Sequence, residues 1–224
     1  VKGVRTAFVT SAADAGGFPR ERLPEIAMVG RSNVGKSSLI NALVRQALAR
    51  TSAAPGKTRL ANFYRVEAEG CPPFFLVDLP GYGYARAPRP AGALKAGRED
   101  RREAARAAFD QLAADYFSAG RGATLLLVDS RHPEIESDHR AWGWLVDHGV
   151  ICHVVATKLD KLTRAERQRH LAALERRYRG PVTAVSAHTG EGLEALWTQI
   201  ATLLRQPPSP PPSRPSPPPS TSRR

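Results

Sequence analysis

Apolar residues fall along this chain in two alternating rhythms. Short unbroken runs, Ile26-Ala27-Met28-Val29, Phe74-Phe75-Leu76-Val77, Ala123 to Val128, Ile151 to Ala156 and Val182 to Val185, have the length and composition of strands covered on both faces. Between them apolar residues recur three and four apart, as a helix stripe facing a core requires. Leu39, Ile40, Leu43 and Val44 predict a helix from Lys36 to about Leu48. Phe109, Leu112 and Tyr116 predict one from Glu99 to Phe117, and Trp142 with Leu145 one from Glu136 to His148. Thr163-Arg164-Ala165-Glu166 is a capping box that opens the next helix. Leu193, Leu196, Trp197, Ile200 and Leu203-Leu204 mark the last. The alternation over Asn62–Ala68 predicts a strand with one exposed face, and the turn Gly70-Cys71-Pro72-Pro73 joins it to the 74–78 strand as a hairpin. Thr6 to Thr10 is a further strand.

Strands alternating with helices specify an α/β fold: a doubly wound, mostly parallel sheet of about six or seven strands, helices on both faces and an antiparallel hairpin at one edge. Residues 1–24 read as an N-terminal segment carrying one edge strand, 25–204 as the main domain and 205–224 as a Pro/Ser/Arg tail. The tail holds nine of the 19 prolines, so it cannot bury a core and is expected to be disordered, partly polyproline II. It serves either as a solubilising tail or as a docking peptide. Residues 50–60 and the Gly/Pro-rich 82–98 read as loops, the second of them mobile.

Chemistry concentrates where strands end. Gly30-Arg31-Ser32-Asn33-Val34-Gly35-Lys36-Ser37 lies between a strand and a helix. That is the context in which GxxxxGK[ST] binds phosphate: backbone N–H groups and the helix N-terminus face a polyphosphate, Lys36 reaches the β/γ-phosphates, and the Ser37 hydroxyl ligates Mg2+. Asp78-Leu79-Pro80-Gly81 ends the 74–77 run. There the carboxylate can hold Mg2+ through water and Gly81 can present its N–H to a γ-phosphate. Thr157-Lys158-Leu159-Asp160 follows the 151–156 strand. An Asp here accepts two hydrogen bonds from guanine N1–H and N2–H2, a donor pair adenine lacks, while the Lys158 stem lies along the base. Ser186-Ala187 follows the 182–185 strand, where a backbone N–H meets guanine O6. Each of the last three is weak alone. In this order, all at the C-terminal strand ends where open α/β sheets bind ligands, they specify GTP or GDP with Mg2+.

Composition adds bounds. At 224 residues and 42% hydrophobic the chain can bury a substantial core. No run approaches the roughly 20 apolar residues of a membrane span, and no secretory leader pattern follows Val1, so a cytoplasmic location is expected. Cys71 and Cys152 are too far apart for a metal knuckle, and a disulfide is not expected. The net charge of +12 exceeds what the four Arg of the tail supply. It reflects either a polyanionic partner, nucleic acid above all, or an Arg-rich proteome.

Nearly the whole of residues 4–204 resembles the EngB-type family, small bacterial GTPases of large-subunit ribosome assembly. The likeness is carried by Gly30 to Ser38 with Leu39-Ile40-Asn41, Ala49-Arg50-Thr51-Ser52 with Pro55-Gly56-Lys57-Thr58, Asn62-Phe63, Asp78 to Ala85, Asp129-Ser130-Arg131-His132-Pro133, and Thr157 to Asp160 with Lys161-Leu162. The resemblance implies a P-loop GTPase domain that associates with the 50S subunit or its precursor, through rRNA and ribosomal proteins, and that is needed for normal division and septation. It implies nucleotide contacts from Gly30 to Ser37, from Gly56, Lys57, Thr58, Arg59 and Leu60, from Asp78 to Gly81, from Thr157 to Asp160 and from Val185, Ser186 and Ala187. Ser37 and Thr58 would ligate Mg2+. Two features depart from the family pattern: the stretch Arg86 to Gly97 is longer and richer in Pro and Gly, and the tail lies outside it.

Lys36, Thr58, Gly81 and Asn33 are the candidate catalytic residues. Phosphoryl transfer to water needs positioning and charge neutralisation more than covalent chemistry. Tyr82 follows Gly81 where many GTPases have Gln, so intrinsic hydrolysis is expected to be slow and accelerated on the ribosome. Asn33 either helps hold a K+ beside the phosphates or is a loop-stabilising amide. Tyr82, Tyr84, Arg86 and Arg89 either couple nucleotide state to rRNA or form a loop with incidental charge. The competing reading is a nucleotide-stabilised interaction scaffold at the division site with little hydrolysis. A monomer is expected.

Overall fold

The structure is a computed structural model that describes residues 3–48, 60–82, 111–118 and 122–206. Among the described residues seven strands form one sheet in the order β1-β3-β4-β2-β5-β6-β7: β1 Arg5–Ala12, β2 Glu25–Gly30, β3 Ala61–Glu67, β4 Phe74–Asp78, β5 Ala123–Asp129, β6 Cys152–Thr157 and β7 Val182–Ala184. β2, β4, β5, β6 and β7 are parallel, whereas β3 runs antiparallel to both β4 and β1. The helices are α1 Lys36–Val44, a stretch over 111–118 (α2), α3 Glu136–Asp147, α4 Arg164–Tyr178 and α5 Leu193–Leu204. This is the expected doubly wound α/β architecture with its antiparallel edge.

Period-two alternation distributes the central strands between two cores. Ile26 and Met28 of β2 and Leu125 and Leu127 of β5 pack with α1 and with Leu196, Trp197 and Ile200 of α5. Ala27 and Val29, with Leu126 and Val128, face Tyr116 and Phe117 of α2, Leu145 of α3 and Leu174 and Tyr178 of α4. Both faces of β2, β4 and β5 are thus covered, which is why their sequences read as unbroken apolar runs.

Three elements differ from their sequence patterns. α1 stops at Val44 because Arg45 turns left-handed, with φ 54°, and donates its N–H to the Asn41 carbonyl. β1 is longer than Thr6–Thr10 and shifts register between Phe8 and Thr10, leaving Phe8 and Val9 exposed on the sheet edge. β7 has only three residues. The capping box is present: Thr163 Oγ1 accepts from the Glu166 N–H and Glu166 Oε2 accepts from the Thr163 N–H. Cys71 and Cys152 are free thiols, and burial pushes Cys152 up to about 12.

Candidate functional site

The loop between β2 and α1 is shaped by backbone needs. Gly35, the residue before α1, has φ 106°, a conformation that a side chain would strain. Asn33 is left-handed as well, with φ 62°, a state that Asn tolerates better than most residues. Val34, 1% exposed, pins the loop to the α1–α5 core. The first turn of α1 has no side-chain cap among the described residues, which leaves its first amides without an intrahelical or capping partner.

β4 delivers Asp78 to the same place. Asp78 is buried, 3% exposed, and its carboxylate pairs with Lys36 Nζ. Gly81 then passes so close to the loop that a Cβ there would lie 3.1 Å from Ser32 N and 3.2 Å from the Gly30 carbonyl. The chain continues as a bridge between Tyr82 and Arg31, in which the Ser32 N–H donates to the Tyr82 carbonyl at 3.2 Å. Leu79 and Pro80 are buried, and the Leu79 N–H donates to Met28 of β2.

β6 brings the third motif against the first. Thr157 Oγ1 donates to the Val34 carbonyl at 2.6 Å, and Lys158 Nζ donates to the Asn33 carbonyl at 2.6 Å. Lys158 is left-handed, with φ 61°, at the head of a short 3-10 turn over Leu159–Lys161. The same ammonium lies 2.9 Å from Asp129 Oδ2 at the end of β5, and Arg131 grips both oxygens of that carboxylate. Burial opposes ionisation of Asp129, but the hydrogen bonds from Arg131 and Lys158 outweigh it and hold the carboxyl well below the usual range. Asp129 and Arg131 lie in the family-like stretch Asp129 to Pro133, but the sequence reading gives them no role there; the signal that could supply one is position, since Asp129 closes an apolar strand as Asp78 does.

The fourth motif closes on Asp160. The Ser186 hydroxyl, fully buried, donates to Asp160 Oδ1 at 2.7 Å and accepts from the His188 and Thr189 N–H groups. The Ser186 hydrogen bond is the main influence lowering the Asp160 carboxyl. Leu159 N–H donates to the Val185 carbonyl at 3.1 Å, which ties the two loops together. Ala187 is half-buried beside them.

The described site therefore unites Gly30 to Ser37, Asp78 to Gly81, Thr157 to Asp160 and Val185 to Ala187 along one edge of the sheet. Gly56, Lys57, Thr58 and Arg59 lie outside the described residues, as do Tyr84, Arg86 and Arg89; Leu60 is exposed just before β3. The donor set at the phosphate end fits Mg2+: the Ser37 hydroxyl and the buried Asp78 carboxylate offer hard oxygens, and Asp78 already stands beside a cation. Tyr82 does not face that region. Its ring is 9% exposed and its hydroxyl donates to Asp138 Oδ1 at 3.1 Å. Among the described residues, no helix is long and apolar enough to cross a membrane.

Comparison with known proteins agrees with this geometry. Residues 25–179 match the family model described as 50S ribosome-binding GTPase. The "probable GTP-binding protein EngB" of Solibacter usitatus is 41% identical over 92% of this chain and 99% of its own length. That of Exiguobacterium sibiricum is 40% identical over 86% of this chain and 94% of its own. Among solved structures, a crystal structure of a "probable GTP-binding protein engB" superposes with a TM-score of 0.60 at 23% identity, covering 81% of this chain and 98% of that one. Era, solved in complex with MgGDPNP and nucleotides of 16S ribosomal RNA, gives a TM-score of 0.60 at 20% identity over 83% of this chain and 58% of Era.

Proposed function

The chain belongs to the EngB family of GTP-binding proteins, GTPases of the P-loop class, and from that premise we propose that it hydrolyses GTP with Mg2+ as a cytoplasmic switch in assembly of the 50S ribosomal subunit. The observation that carries this reading is the closure of the base motif on the phosphate loop through Lys158 and Asn33. One pocket thereby offers amides and Lys36 to a polyphosphate and, at its other end, Asp160 to a purine.

Each residue then has a distinct task. The loop amides, the α1 N-terminus and Lys36 bind and orient the β- and γ-phosphates. Asp160 accepts from guanine N1–H and N2–H2, and Ser186 fixes its rotamer. Lys158 lies along the base, with its ammonium fixed at both Asn33 and Asp129. Gly81 presents its N–H to the γ-phosphate. Ser37 and Thr58 would hold the Mg2+, with Asp78 acting through water, and the ion would supply charge neutralisation on the phosphate oxygens. Lys36 leaves Asp78 for the phosphates as nucleotide enters.

Slow intrinsic hydrolysis is supported by Tyr82. Its phenol is committed to Asp138, so no side chain at this position orients a water. The ribosome accelerates the reaction. If Asn33 helps hold a K+, that ion would add positive charge beside the phosphates, and faster turnover in KCl than in NaCl is the expected result; equal rates leave Asn33 a loop-stabilising amide. The +12 charge and the family description of ribosome binding support a 50S or precursor partner, with rRNA as the polyanion, engaged by a monomer. The family's link to division and septation is read as a consequence of this assembly role. Co-sedimentation with 50S particles tests the partner. Binding with a GTP analogue that exceeds binding with GDP and weakens with salt supports the proposal; equal or absent binding in both states contradicts it.

A further inference from the structure

Asp138 is the third residue of α3, is 1% exposed, and stands outside all four nucleotide motifs. A buried carboxylate needs a reason, because taking its charge out of water is costly unless partners compensate. Its partners come from the two segments that meet at the phosphate end. Tyr82, one residue after Gly81, donates its hydroxyl to Oδ1 at 3.1 Å. Arg31, one residue after Gly30, places Nε 3.4 Å from Oδ2. Tyr82 and Arg31 are themselves bridged through their backbones, with the Ser32 N–H on the Tyr82 carbonyl. The three residues therefore form a closed ring of phosphate loop, the segment after Asp78 and the start of α3. Ser137 adds a weaker contact at 3.4 Å. Burial raises the Asp138 carboxyl above its ordinary value, opposed by Arg31 and Tyr82.

What this ring fixes is Gly81. With Tyr82 held below and Ser32 held above, the intervening peptide is confined against the loop lip, within 3.1–3.3 Å of Ser32 N, Gly30 O and Arg31 C for a virtual Cβ. An amide confined in this way is preorganised for whatever occupies the outer end of the phosphate loop, and a preorganised donor binds without the cost of ordering. The inner phosphates would meet Lys36 and the loop amides nearest α1; within the loop Asp138 reaches only the Arg31 side chain.

We propose that Asp138 is a positioning residue that, by gripping Tyr82 and Arg31 together, holds the Gly81 peptide against the phosphate loop and so sets the preference for a nucleoside triphosphate over a diphosphate. The inference rests on the proposed contact between the Gly81 N–H and the γ-phosphate. It differs from a purely structural role for Asp138, which would affect both ligands alike.

The test is calorimetry on the full chain with Mg2+, using GDP and a non-hydrolysable GTP analogue, for wild type, Asp138→Asn, Tyr82→Phe and the double variant. The expected result is a loss of about 5- to 10-fold in analogue affinity in each single variant, with GDP affinity within twofold of wild type. The double variant is expected to be no worse than either single one, because both break the same link. An unchanged analogue-to-GDP ratio in the variants overturns the proposal, as does an equal loss for both ligands. Tyr82→Phe removes a single oxygen and decides the matter if Asp138→Asn does not fold. Failure of the wild-type protein to bind either guanosine nucleotide would instead refute the function from which this inference starts.

Discussion

Asp129 Oδ2 lies 2.9 Å from Lys158 Nζ, across the paired ends of β5 and β6. One acid thus sets the direction of Lys158, proposed to lie along the base, while Arg131 holds the acid in place by a two-point contact at 2.9 and 2.8 Å. Asp129→Asn keeps the shape and removes the charge. GDP affinity is expected to fall about tenfold, the loss of one charge-assisted hydrogen bond of roughly 1.5 kcal/mol. Titration calorimetry checks this, and an unchanged Kd would show that Lys158 needs no anchor.

The same carboxylate predicts an acid-sensitive stability. Its folded pKa is depressed, so the folded state favours the ionised form. That contribution is complete above the unfolded value of about 3.9 and is lost as pH falls below it. Urea titrations between pH 5 and pH 3 should show wild type losing stability more steeply than Asp129→Asn. Parallel curves would remove Asp129 from the acid response.

His153 predicts a second pH effect of the same direction in another window. It is 8% exposed, and burial lowers its pKa, with Nε2 2.8 Å from Thr183 Oγ1. The folded state therefore favours the neutral ring. Stability is full above the unfolded pKa of about 6.5 and declines as pH falls from there toward the lower folded value. His153→Gln retains a partner for Thr183 and should flatten the stability curve below pH 6.5; an unchanged slope contradicts this.

Much of this was legible because two-sided burial leaves a plain mark. Ile26 to Val29 and Phe74 to Val77 read as strands since every position is covered by one core or the other. The placement of the glycine loop, Asp78 and Lys158-Leu159-Asp160 was legible because each follows an unbroken apolar run and so falls at a strand end. Thr163 and Glu166 announced their capping box four residues at a time. Other features leave no local trace. Arg45 ends α1 in a left-handed turn without a Gly or Pro to signal it. Asp138 reads as an ordinary polar helix residue, since its partners Arg31 and Tyr82 are far away in sequence. Lys36 and Asp78 were each assigned to the ligand, and their ion pair with one another appears only when β2 and β4 are set side by side.

The capping box gives a stability prediction free of ligand chemistry. Thr163→Ala removes the Oγ1 acceptor at the start of α4 and should cost about 1 kcal/mol in urea unfolding, with nucleotide affinity unchanged. A loss of affinity would mean that the α4 start communicates with Asp160.

The central claim is that a single pocket recognises guanine through Asp160 while Lys36 and the loop hold the phosphates. Calorimetric comparison of GDP, ADP and a xanthosine diphosphate, on wild type and Asp160→Asn, tests it most directly. Wild type should favour GDP over ADP by roughly 1000-fold or more, and Asp160→Asn should lose GDP affinity and gain xanthosine diphosphate, whose O2 accepts from the new amide. Equal binding of GDP and ADP by the wild-type protein would contradict the account.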